Sequence, residues 1–269
     1  VAEVALAVYF ARPVGVPAAE LGRLWDRWRD RYPRTEDQPL LPPVIPETFN
    51  VPSFGFSMQF MAGQLGSRVW FVTKDGEQLV QVQPDRLIHN WRRTTIDEPY
   101  PRYELLRPAF ADDVNDFSQF LVEQGLDRPS VLQAELTYVN PIPVAALGDS
   151  KLLGRLLAPW SGQYSDDFLP SPEDVRISIR YRINDPSSHE PVGRLYMDGA
   201  PALHQASEGE PEEVYMLQLF ARGRPLGDDG VAGALAFLDL GHEWIVRGFT
   251  SMTTKTMHAE WGRQDADDV

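Results

Sequence analysis

The chain has 269 residues, no cysteine and a formal charge of −14, with 43% apolar and 24% charged residues. That length buries a sizeable core unaided, and the missing thiols exclude disulfides, thiolate zinc sites, iron-sulfur clusters and a catalytic cysteine. Duplex binding rests on phosphate neutralisation by Lys and Arg, so an acidic excess this large speaks against extended nucleic-acid contact.

The excess is uneven: 14 Lys and Arg meet 18 Asp and Glu in residues 1–130, against 11 and 21 in residues 131–269. No window reaches the ~20 apolar residues of a membrane span, and the first ten residues lack a basic leader, so the expected location is cytoplasmic with no membrane partner.

The opening residues alternate, with Val4, Leu6, Val8 and Phe10 to one side, which predicts a half-buried strand. Pro17 marks a helix start, and Leu21, Leu24, Trp25, Trp28 and Tyr32 recur at three- and four-residue spacing up to Pro33. The proline-rich run from Pro39 to Pro52 reads as an extended connection over the surface, and Phe54, Phe56, Met58 and Phe60 alternate again after it. Residues 68–73 and 78–83 flank Lys74-Asp75-Gly76-Glu77, a hairpin for which Asp-Gly predicts a type I′ turn. A strand over 87–93 leads to a helix over 103–124, carrying Leu106, Phe110, Val114, Phe117 and Leu121 on one face. Pro108 is expected to kink that helix and Gly125 to end it.

The order then repeats. Leu132, Ala134, Leu136 and Tyr138 alternate as a strand, and a short helix is expected over 144–157. Val175, Ile177, Ile179, Tyr181 and Ile183 form one face of the next strand, with Arg176, Arg180 and Arg182 on the other. Strands near 194–197 and 214–221 enclose a solvated loop containing Glu208, Glu210, Glu212 and Glu213. A long helix over 231–252 and a short one near 257–261 close the chain.

The fold class is therefore α+β: two similar halves, 1–130 and 131–262, followed by an acidic tail over 263–269. Each half is a strand, a helix, three or four antiparallel strands and a closing helix, with each sheet packed by its long helix. Element order alone carries this duplication. The order is similar to the duplicated saddle of the TATA-box-binding protein and, within each half, to helix-grip folds.

Candidate chemistry gathers in two stretches. In 238–250, His242-Glu243 is half of a zinc-protease motif, but Val246 stands where the second histidine must be, so that reading fails. Leu235, Leu238, His242, Ile245 and Phe249 share one stripe, which turns His242 toward the sheet. A histidine there is ordinarily a hydrogen-bonded core residue, the alternative being a ligand contact beside Arg247. Gly241 and Gly248 each cost about 1 kcal/mol against alanine in a helix, and close approach of another element explains both.

In 81–93, His89, Trp91 and Arg93 share one strand face, where guanidinium and indole could hold a carboxylate, a phosphate or a stacked base. The plainer reading is a strand whose tryptophan is covered by a helix. The arginine row of 176–182 wants acidic partners, which the protein's own glutamates can supply. The pairs Asp112-Asp113 and Asp166-Asp167 read as solvated. No phosphate loop, serine elbow, nucleotide fingerprint or ligand-spaced histidine pair occurs, so no catalytic residue, metal or cofactor is assigned.

The segments 68–72, Gln81-Val82-Gln83-Pro84-Asp85-Arg86 with His89-Asn90-Trp91, Tyr100-Pro101-Arg102-Tyr103 and 238–261 resemble a sporadically distributed family of uncharacterised bacterial proteins of about this length. They span both halves. The resemblance implies no catalytic residue; scattered occurrence implies an accessory role such as phage defence or toxin neutralisation.

Three functions follow from these residues. The leading one is a non-catalytic binding protein, an acidic subunit or neutraliser that docks a basic protein partner. The alternative is a small-molecule sensor or enzyme, its ligand held between sheet and helix near His89, Trp91, Arg93, His242 and Arg247. The third is a nucleic-acid saddle, which the charge disfavours.

Overall fold

The computed structural model describes residues 1–49, 66–95, 99–147, 152–160, 165–166, 168–170, 172–205 and 210–262. The first half comprises β1 (Glu3–Phe10), α1 (Ala18–Trp28), β2 (Arg34–Gln38), β3 (Arg68–Val72), β4 (Gln78–Gln83), β5 (Arg86–Arg92) and α2 (Tyr103–Glu123). The second comprises β6 (Val131–Pro143), α3 (Val144–Leu147), α4 (Leu152–Leu156), β7 (Ile177–Asn184), β8 (Pro191–His204), β9 (Glu212–Gly223), α5 (Val231–Met252) and α6 (Lys255–Glu260).

All nine strands join one antiparallel sheet in the order β2-β3-β4-β5-β1-β6-β9-β8-β7. The separate sheets expected for the two halves are thus a single sheet. The reason is the β1–β6 ladder, which pairs Val4 with Tyr138, Leu6 with Leu136 and Val8 with Ala134 and so puts the apolar rows of both strands on the same side. Helices α1, α2 and α5 cover that side. Trp28 of α1 meets Phe71 edge-on at 5.2 Å, Phe117 of α2 stacks on Phe10 at 6.0 Å, and Phe237 of α5 lies over Gly193 and Gly223. Gly241 and Gly248 face Ala221 and Leu195, the close approach expected from their spacing.

The opposite side carries a smaller cluster of Ala7, Tyr9 and Ile88, onto which Leu41 and Val44 pack. The described part of the proline-rich run, residues 39–49, crosses this side as a strap. Gln83 Oε1 accepts from the Leu41 amide, Arg86 donates to the Pro42 carbonyl, and Gln133 Oε1 accepts from the Glu47 amide. At its far end the Glu47 carboxylate meets Arg194 and accepts from the Tyr196 hydroxyl, both on β8.

Several expectations are corrected. β2, Arg-Thr-Glu-Asp-Gln, has no apolar alternation because it is an edge strand open to solvent on both faces. In the β3–β4 connection only Gly76 takes positive φ, and its amide donates to the Thr73 carbonyl; this is an ordinary turn ending in a left-handed glycine, not type I′. α2 runs unbroken through Pro108, which lies on the exposed face near the helix start, where the freed Glu104 carbonyl can be hydrated. Of the helix expected over 144–157, α3 and α4 lie within the described residues, and 148–151 lie outside them. Glu212 and Glu213 belong to β9, across from His204 and Leu203. Arg176 and Arg182 are exposed and form no ion pair with a carboxylate among the described residues, whereas Arg194 and Arg222 on the neighbouring strands pair with Glu47 and Glu135. Phe54 to Phe60, Asp167, Glu208 and the tail over 263–269 lie outside the described residues.

Candidate functional site

The segment Tyr100-Pro101-Arg102-Tyr103 carries the chain into α2 at one end of the sheet's helix-covered side. Arg102, the N-cap, has φ 65° and ψ 156°, a region that only glycine visits freely, and no side chain caps the helix there. Its carbonyl accepts from the Leu105 and Leu106 amides. This turn sets Tyr100 outside the helix against Trp91 and Tyr138 of the sheet, and Tyr103 on its first turn against α5.

Between this turn, α5 and the strands β6 and β9 lies a cavity of about 510 Å³. Ile142 and Leu219 contribute apolar surface from the sheet. One wall holds Phe249 and Trp261, whose rings are 5.3 Å apart. The other is a cluster of Tyr100, Tyr103, Tyr138 and His242.

That cluster is hydrogen-bonded in series. The Tyr100 and Tyr138 hydroxyls are 2.8 Å apart, and Tyr138 Oη lies 3.1 Å from His242 Nδ1. The Tyr103 ring stacks on His242 at 4.1 Å, with 9° between the planes. Its hydroxyl donates to Asp239 at 2.8 Å, and Arg107 clamps both oxygens of the same carboxylate at 2.5 and 2.7 Å. The Arg107–Asp239 pair ties α2 to α5 and so fixes both sides of the histidine.

Burial raises the Tyr100 phenol to about 12 and raises Tyr138 and Tyr103 as well, Asp239 adding to the latter. Burial lowers His242, with Glu104 and Asp239 opposing. At neutral pH the series is therefore uncharged. It can take two orientations: His242 Nδ1 accepts from Tyr138 while Nε2–H donates to the cavity, or Nδ1–H donates to Tyr138 and Nε2 accepts. Among the described residues Nδ1 is the one ring nitrogen engaged, which leaves Nε2 for a guest.

Two charged side chains also line the cavity, Arg102 and Glu104. Both are exposed, and neither forms an ion pair or hydrogen bond through its side chain among the described residues.

Of the five candidate ligand residues His89, Trp91, Arg93, His242 and Arg247, His242 alone lines this cavity. Trp91 is 1% exposed and packs behind it, its ring 5.4 Å from that of Tyr100. Arg93 is exposed beside the Val1 amino group, its backbone amide donating to the Ala2 carbonyl. Arg247 is exposed on another side of α5, pairs with Glu243 at 2.6 Å, and lines a separate groove with Trp244 and Tyr181. His89 is fully buried and belongs to a different network: its Nδ1 is 2.7 Å from Asp113 Oδ2, which also accepts from the Tyr32 hydroxyl at 2.9 Å, while Arg31 donates to Oδ1 at 2.7 Å. Asp113 has no exposed surface, which overturns its reading as a solvated carboxylate; its neighbour Asp112 faces solvent as expected. Ten residues separate Asp113 from Tyr103, about 15 Å along α2, so the two histidines do not share a site.

Sequence reasoning missed Tyr100, Arg102, Tyr103, Glu104 and Tyr138 as lining residues. The tyrosines flanking Pro101-Arg102 directly before a helix were a usable signal, whereas Tyr138 looked like ordinary strand alternation. Among the described residues no three His, Asp or Glu side chains gather as a metal site, and no helix is long and apolar enough to cross a membrane. Compared with protein-family models, with curated proteins and with solved structures, the chain matches none.

Proposed function

We propose that this chain is a small-molecule binding protein whose ligand lies between α2, α5 and the sheet. The observation that carries this reading is the cavity itself: its volume, about 510 Å³, falls in the ~300–1,000 Å³ range of ligand sites, and its aromatic walls converge on one accessible imidazole nitrogen. The test uses N-phenyl-1-naphthylamine, a neutral dye that brightens in apolar surroundings. Wild type should bind it, and Val246→Trp, which fills the cavity from an exposed helical position, should abolish the signal without lowering the melting temperature. Equal brightening in both proteins would refute the reading.

A second reading, docking of a basic protein partner, is supported by the charge of −14 and by Arg194 and Arg222 being held by the protein's own carboxylates. Pull-down from the native host with mass identification tests it; a lone monomer counts against it. A nucleic-acid saddle is the weakest reading, since the strap occupies the sheet face that a saddle would offer.

For the architecture, we infer an internal duplication. What supports it is that β5-β1 on one side of the central β1–β6 ladder is matched by β9-β6 on the other, each followed by a long helix. Kinship with helix-grip or TATA-box-binding-protein folds, and with the bacterial family, is part of the same proposal.

A further inference from the structure

The chemistry around the cavity narrows its guest. The walls are aromatic and aliphatic, and the cluster inside is neutral: the phenols of Tyr100, Tyr103 and Tyr138 are held protonated by burial, and His242 is held neutral at pH 7. Asp239, an exposed carboxylate at the edge of the cluster, is already occupied by Arg107 and Tyr103. A charged group placed among these rings would give up its hydration with only the exposed Glu104 carboxylate acting on it from the rim, which favours an uncharged inner part of the guest.

Arg102 and Glu104 are different. They stand two residues apart, both line the cavity, both remain in contact with water, and they form no ion pair with each other or with another described residue. A fold that wanted only an apolar guest has no use for two opposite uncompensated charges there, and one that wanted a simple anion or cation would be opposed by one of the two. Arg102 is moreover held in a backbone conformation natural to glycine, and such outliers persist where the surroundings over-determine them.

Resting on the cavity reading above, the geometry points to a zwitterionic guest: an α-amino acid with an aromatic or large apolar side chain. Its side chain lies among Phe249, Trp261 and the tyrosines, its carboxylate faces Arg102 and its ammonium faces Glu104. A guanidinium supplies the planar fork that a carboxylate matches, and a carboxylate with nearby tyrosine faces suits an ammonium. His242 Nε2 supplies one directional hydrogen bond in the interior.

The experiment is displacement of N-phenyl-1-naphthylamine by four phenyl compounds: L-phenylalanine, its amide (cation alone), its N-acetyl derivative (anion alone) and 2-phenylethanol (neither charge). L-Phenylalanine should displace the dye at concentrations at least tenfold lower than any of the other three. Glu104→Gln should remove the advantage of L-phenylalanine over N-acetyl-phenylalanine, and Arg102→Gln should remove its advantage over the amide. Both positions are exposed, so folding should be retained, and circular dichroism confirms it. Equal displacement by a singly charged or neutral analogue, failure of L-phenylalanine to displace bound dye, or indifference to both substitutions overturns the zwitterion inference and leaves the cavity reading standing. Failure of the dye itself to bind overturns the cavity reading, and this one with it.

Discussion

Gly241 and Gly248 sit on the same side of α5, yet alanine at the two positions should act in opposite directions. In either place alanine gains about 1 kcal/mol of helix propensity, because glycine surrenders more backbone freedom on folding. A Cβ at Gly241 would lie 2.9 Å from Cβ of Ala221, which is rooted in β9 and has no torsion by which to move aside. The helix must back away from the sheet, an overpacking cost of about 1–3 kcal/mol. A Cβ at Gly248 would lie 2.7 Å from Leu195 Cδ2, the end of a rotatable side chain bordering the groove that Gly248 itself lines. Leu195 can swing into that space for about 0.5 to 1.5 kcal/mol. Gly241→Ala is therefore expected to destabilise by about 1 kcal/mol net, and Gly248→Ala to be neutral or stabilising by a few tenths. Urea denaturation monitored by tryptophan fluorescence measures both as midpoint shifts at constant slope. A gain in stability for Gly241→Ala equal to that for Gly248→Ala would show that α5 does not press on β9 as described.

Asp113→Ala removes the acceptor shared by His89, Tyr32 and Arg31 in a fully buried setting, and should cost about 3–5 kcal/mol in urea denaturation; a loss below 1 kcal/mol would mean the network is not closed to water. His242 is held below its ordinary value of 6.5 by burial, so as pH falls the unfolded chain takes up this proton first. Its contribution is flat above pH 6.5 and declines below it until folded His242 protonates; wild type should lose stability more steeply than His242→Gln between pH 7 and 5, and parallel curves would refute this. Arg102→Gly relieves about 1–3 kcal/mol of positive-φ strain against the ~0.4–1 kcal/mol that glycine costs through a freer unfolded chain, and should raise stability by about 1 kcal/mol net while weakening L-phenylalanine binding. No change in thermal midpoint would mean that Arg102 does not hold the strained conformation in solution.

Where packing wrote a periodic signature, the sequence was legible. The alternation of Val4 to Phe10, the stripe on α2 and the paired glycines of α5 each reappear as burial. Sequence patterning could not reveal that β1 and β6 are neighbours, because two half-buried strands look alike whether they end two sheets or join one. β2 was invisible for the converse reason: an edge strand exposed on both faces has no apolar row. At the site, His242 was legible from its stripe, while Arg93 and Arg247 attracted notice through residue type and ended up at the surface. The tyrosine cluster stayed hidden because its members come from a loop, a helix start and a strand up to 38 residues apart, and only the folded sheet brings them to one imidazole.

The strap imposes an order on how the chain matures. Residues 39–49 emerge early from the ribosome, but the anchors for Glu47, Arg194 and Tyr196, are synthesised about 150 positions later. Gln83, Arg86 and Gln133 can seat Leu41 and Val44 on Tyr9 and Ile88 earlier, but until β8 is in place the Glu47 carboxylate has neither of its anchors. Contacts this distant along the chain close slowly, so the last event of folding is expected to be the fastening of an early segment by a late strand.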